Sequence, residues 1–132
     1  MLDQSRYWTI IHNREHNLLH ITWNSAASAM PEQAFRAHLM RFVNLLRTTE
    51  AKKFLVDASA GHFIMLPHVQ EWHDRVIVPQ YEDMGIQKIA FVYPRDVIEA
   101  MSLDQAFDEQ QARRLRTNFF DSLQEAWEWI RR

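Results

Sequence analysis

The chain has 132 residues, 47% of them apolar and 12% aromatic, and a formal charge of -2. That length makes a single domain, residues 1–132, with core enough to fold without staples. The weak negative charge leaves no electrostatic footprint for nucleic acid, and the lack of cysteine excludes a disulfide framework, a thiol nucleophile and a thiolate metal site.

The first residues carry no charged-then-apolar signal pattern. No apolar run approaches the roughly 20 residues that span a bilayer. The chain is therefore expected in the cytoplasm, without a transmembrane segment. Residues 7–11 and 18–23 are rich in β-branched and aromatic types and flank a polar insert, 12–17. They predict an opening β-hairpin. A small-residue connector, 24–30, leads to Pro31, which suits a first helical position. Phe35, Leu39, Phe42, Val43 and Leu46 then recur on one helix face.

Two short apolar runs follow, 54–57 ending in Asp57 and 89–93 ending in Tyr93. A buried central strand is apolar on both faces, so these runs predict neighbouring parallel strands inside one sheet. Between them lie a connector with Gly61, free to take positive φ, and a helix opened by Pro67. That helix carries Val69, Trp72 and Val76 inward, and Pro79 is expected to bend or end it. Gly85 precedes the second run and Pro94 stops it. Val97, Ile98 and Met101 form an apolar helical group, and Ser102 with Gln105 has the form of a capping box. Residues 115–120 predict a last strand. Asp121 caps a closing helix with Leu123, Ala126, Trp127 and Ile130 inward. The order β-β-α-β-α-β-α-β-α predicts an α/β fold with a single mixed, largely parallel sheet.

Candidate functional residues are few. His12, His16 and His20 recur every four positions, but on a hairpin that spacing brings no ligands together, and they read as polar hairpin residues. His62, His68 and His73 bracket the second helix, and His68 and His73, five apart, diverge around its axis. Asp104, Asp108 and Glu109 read as a solvated acidic helix face. Two separated glycines cannot build a phosphate loop. No catalytic residue, cofactor or metal is assigned. Asp57, Ser59, His62 and Tyr93 form the better group. Strand ends of open α/β sheets border the crevice where ligands bind, although Asp57 and Ser59 can equally anchor a loop. Trp129 points away from the inward face of the closing helix. Either its own chain covers it or it belongs to an interaction patch.

The segments Phe54-Leu-Val-Asp57, Phe63-Ile-Met-Leu-Pro-His-Val-Gln-Glu-Trp72, Lys88-Ile-Ala-Phe-Val92 and Phe119-Phe-Asp-Ser-Leu-Gln-Glu-Ala-Trp-Glu-Trp-Ile130 carry a resemblance. Taken together, the chain resembles the STAS-like family of small bacterial proteins, related in fold to sporulation anti-anti-sigma factors. The resemblance implies helices packed mainly on one face of the sheet. It also implies a serine at the start of the helix after the third strand, within an Asp-Ser-Ser-Gly motif. Here Ile64-Met-Leu-Pro67 occupies that neighbourhood, and Ser59 sits earlier, straight after the strand, so no phosphoswitch is expected at that helix start. The expected function is a non-enzymatic regulatory module working through a protein partner or self-association. The alternative is a small-ligand binder or cryptic enzyme at the strand ends. A flat exposed aromatic patch would favour the first, and an apolar pocket with a polar rim the second.

Overall fold

Strand pairing follows from alternating large apolar residues at the start of the chain. The computed structural model describes residues 1–100 and 116–132. β1 (Asp3–Gln4) pairs antiparallel with β2 (Trp8–Asn13), which pairs antiparallel with β3 (Leu18–Trp23). The hairpin turn is tighter than the polar insert suggested. His12 and Asn13 belong to the ladder, and Asn17 closes the turn at φ 50. β4 (Lys53–Asp57), β5 (Lys88–Val92) and β6 (Arg116–Phe120) then add in parallel. Among the described residues this makes one mixed sheet of six strands, in spatial order β1 to β6. The two apolar runs are adjacent, parallel and interior, as their composition predicted. Phe54 is in register with Ile89 and Val56 with Phe91.

β1 carried no sequence signal beyond its polar residues. A buried carboxylate holds it in place. Asp3, 9% exposed, accepts the Trp8 indole N–H at 2.9 Å and the Arg41 guanidinium at 2.5 and 2.9 Å. The Arg41 hydrogen bonds keep the Asp3 carboxyl below its ordinary value against the opposing effect of burial, and Trp8 assists.

Parallel strands added on one side through crossovers of one hand place those crossovers on one face. α1 (Glu32–Thr49) and the helical run from α2 (Pro67–Trp72) to α3 (Val78–Asp83) obey this rule. Phe35, Phe42, Leu46, Val69, Ile77 and Tyr81 bury against Ile10, Ile21, Phe54 and Ile89. Each large apolar side chain so buried contributes roughly 1.5–3 kcal/mol. α4 (Arg95–Glu99) is a short turn after β5. α5 (Leu123–Ile130) follows β6. It covers the opposite face, with Ala126 and Ile130 on Leu18, Leu55, Ala90 and Val92. Leu123, expected inward, is 41% exposed, while Trp127 and Trp129 pack beside the buried pair.

Gly61 also differs from expectation. Its φ is not positive. A Cβ there would stand 2.2 Å from the Asn24 carbonyl oxygen, so the residue is needed for close backbone approach. Gly85 is the glycine with positive φ, at 74°. The Ser102–Gln105 cap and the acidic group Asp104, Asp108 and Glu109 lie outside the described residues. Among those described, no helix is long and apolar enough to cross a membrane.

Candidate functional site

Residues two apart on a strand share a face. β5 thus sends Phe91, with Tyr93 just beyond its end, to the same side, and the register sets Phe119 of β6 beside Phe91. The Tyr93 N–H continues the ladder by donating to the Phe120 carbonyl at 3.0 Å. The three rings are nearly parallel. Their centroids are 5.4–6.1 Å apart with interplanar angles of 12°, 16° and 23°. They stack on one another and form an aromatic wall. Phe35 of α1 and Phe63 of the connector stack on each other at 4.2 Å and 15°. The wall and this pair both line a cavity of about 370 Å³ between the sheet and its helices. That volume lies at the lower end of the range for small-molecule sites, about 300–1,000 Å³.

The polar lining comes from His62, Gln70, His73, Asp74, Tyr93 and Thr117. His73 and Asp74 owe their position to a defect in the helix. Pro79 has no N–H, and its ring would clash with the carbonyl four residues back. The expectation that Pro79 bends or ends the helix is replaced by a widened turn, His73–Ile77, in which the Val78 N–H reaches the His73 carbonyl. On a regular helix Val69 and Ile77 would stand about 80° out of phase at ~100° per residue. The wide turn absorbs one residue and restores Ile77 and Tyr81 to the inward side.

Asp74, with 61% of its side chain exposed, marks the mouth, while His73 is 21% exposed. Asp74 Oδ1 accepts Gln70 Nε2 at 2.9 Å and takes a longer contact, 3.4 Å, from His73 Nδ1. Burial lowers the affinity of His73 for a proton, and the Asp74 carboxylate only partly opposes it. Burial alone pushes the Tyr93 phenol up to about 12 and raises that of Tyr81 as well. Both therefore keep their protons at neutral pH. His62 meets Tyr93 edge-on, with centroids 5.7 Å apart.

Of the four residues expected at the strand ends, the structure brings His62 and Tyr93 together in this cavity. Asp57 and Ser59 are elsewhere. Asp57 alternates with Val56 and so faces the sheet side that α5 covers, near His20. Its Oδ1 accepts the Ser59 N–H at 3.0 Å and hydroxyl at 2.6 Å, an Asx turn that closes β4. Trp129 is half-buried by its own chain. Phe120 packs at 5.7 Å, and the Lys88 ammonium stands 5.0 Å over the ring.

The histidine sets disperse. His12 and His20 stand on opposite faces of the sheet, and His16 packs edge-on against Trp127. His68 pairs with Glu32 at 2.5 Å. Among the described residues no three His, Cys, Asp or Glu side chains are placed to hold a metal ion.

Sequence reasoning missed the aromatic wall and the His73–Asp74 pair. The wall was detectable. Phe91 and Tyr93 are two apart in a strand, and Phe119 sits in the next one. The pair was not, because helical phase assumed a regular helix across Pro79. Comparison with protein-family models, curated proteins and solved structures finds no match to the chain.

Proposed function

We propose that this chain binds a small, largely apolar molecule in the cavity between the sheet and its helices. The observation that carries the reading is the cavity itself, about 370 Å³ and lined by apolar and aromatic side chains with a few polar groups among them. Well-packed cores leave few voids larger than a water molecule. A space this size beside two desolvated phenols and a desolvated imidazole is what a ligand site requires. The function belongs to the bacterial cytoplasm, as the STAS-like resemblance implies.

The second reading is a regulatory module that docks a protein partner or a second copy of itself. The exposed Leu123 beside the half-buried Trp127 and Trp129 on α5 favours it.

One experiment separates the two. Protein isolated from its native cell is analysed by native mass spectrometry, and thermal melts are recorded with a panel of small apolar probes. Ligand binding predicts a bound small molecule and a melt raised by a probe. A probe at a hundred times its Kd stabilises by about 2.7 kcal/mol. A clean apo mass together with unmoved melts would discard the cavity reading.

A further inference from the structure

We propose that Ser5 and His38 form a nucleophile–base pair that hydrolyses small, activated carboxylic esters. This activity is separate from the binding function proposed above and does not depend on it.

A turn and a helix build the pair. Ser5 opens the tight turn between β1 and β2, where its N–H donates to the Trp8 carbonyl at 3.0 Å. His38 stands on α1, and its Nδ1 lies 2.7 Å from the Ala34 carbonyl, one turn back on the same helix. A carbonyl oxygen can only accept, so this contact places the ring proton on Nδ1. Nε2 keeps its lone pair, and the Ser5 hydroxyl donates to it at 2.8 Å. A hydroxyl on a base, with the base oriented by a third group, is the arrangement that activates a serine.

The base is held in place before any substrate arrives. Trp8 and Tyr7 meet the His38 ring edge-on, with centroids 4.7 and 5.4 Å away, and Trp23 lies at 6.1 Å. Packing of this kind fixes a reacting group in one geometry. The nucleophile is supported as well. Ser5 Oγ accepts the Tyr7 N–H at 3.1 Å and the Trp8 N–H at 3.3 Å. Both dipoles favour negative charge on the oxygen as its proton leaves. Attack uses the lone pair that the longer contact holds less firmly. Ser5 and His38 are half-buried beside the exposed Arg6 and Ala37, so a small ester reaches them from solvent.

The steps balance without a further reagent than water. Ser5 Oγ bonds to the acyl carbon and its proton passes to His38 Nε2. The ester C–O bond breaks, and the departing alcohol oxygen takes that proton. Water then attacks the acyl carbon and gives a proton to Nε2. The carboxylic acid leaves as Oγ recovers the proton. Ala34 offers a neutral carbonyl where a carboxylate would steady the imidazolium formed midway. The substrate is therefore an ester with a good leaving group rather than an amide.

The full chain, treated with diisopropyl fluorophosphate and mapped by peptide mass, tests the pair. Ser5 should form its phosphoryl ester about a hundredfold faster than the exposed Ser25 and Ser28. Hydrolysis of p-nitrophenyl acetate should exceed that of the heat-unfolded chain and fall to that background in Ser5→Ala. His38→Gln keeps a polar partner for Ser5 but cannot relay a proton, so Ser5 labelling should fall by about a hundredfold. Added imidazole should restore part of the labelling in His38→Ala. Ser5 labelling no faster than that of Ser25 and Ser28 would overturn the activity, and this measurement on the unaltered chain decides even where a variant fails to fold. Undiminished labelling in His38→Gln would overturn the role of His38. A lowered melt in His38→Ala with no recovery in imidazole would reduce the contact to a tie between the turn and α1, and overturn it likewise.

Discussion

Two histidines lose proton affinity on folding, for the same reason. Desolvation lowers His20, with the Asp57 charge partly opposing it, and desolvation lowers His73, with Asp74 opposing. The unfolded chain therefore binds protons at a higher pH than the native protein does. Their stabilising effect is complete above the ordinary histidine value, about 6.5, and declines as pH falls below it. The melting temperature should drop between pH 7 and pH 5, beyond any trend set by the carboxylates. His20 Nε2 is buried without a partner, so His20→Leu removes a proton site and an unsatisfied atom together. Melts of this variant should fall less steeply with acid. An acid limb identical to the parent's would show that His20 does not titrate with folding. At this scale the residue types were plain in the sequence. Their burial was not, since histidines eight positions apart on a hairpin, His12 and His20, reach opposite faces.

At the scale of elements, the connector after β4 and the closing helix are the informative parts. Gly61 lies against the Asn24 backbone, and the chain just beyond it brings His62, Phe63 and Met65 to the cavity. In Gly61→Ala the new methyl would press on a carbonyl oxygen that cannot move away. The connector must shift, at about 1–3 kcal/mol, and probe affinity should fall with the melt. Unchanged affinity for an apolar probe would mean the connector does not shape the site. On α5, Trp129 lies between Phe120 and the Lys88 ammonium. Its own chain covers part of the ring, so Trp129→Ala should lower the melting temperature by several degrees. The loss should be smaller than the 3–5 kcal/mol of a fully buried aromatic truncation. Light scattering on the same variant should show no change in mass. Weakened association with an unmoved melt would transfer Trp129 to a partner surface. Helix existence and the inward set of α1 were legible from 3.6-residue spacing. The wide turn at His73–Ile77 was not, because it arises from Pro79 meeting a helix that tertiary packing keeps going.

At the scale of the molecule, the cavity opens a direct test by filling it. Thr117 lines it from β6 and is half-buried. Tryptophan is well tolerated in strands, so Thr117→Trp should occupy the space, keep the melt near that of the parent and abolish the thermal shift from apolar probes. A melt lowered by the about 1–3 kcal/mol of an overpacked core would mean that no such space exists. The sequence by itself determined the α/β class, the hairpin and the adjacency of β4 and β5. Continuous apolar runs separated by a helical pattern admit few other arrangements. It also marked His62 and Tyr93, because strand ends border the crevice in such sheets. Only the tertiary structure decided that Asp57 and Ser59 close a turn on the far side of the sheet. It alone decided that α5 crosses to that side, and that Phe91, Tyr93 and Phe119 align with His73 around one space. The physical reason is that periodicity specifies which side of its own element a residue occupies. Which sides then meet, and how much room they leave, depends on strand register and on a helix defect that no local pattern encodes.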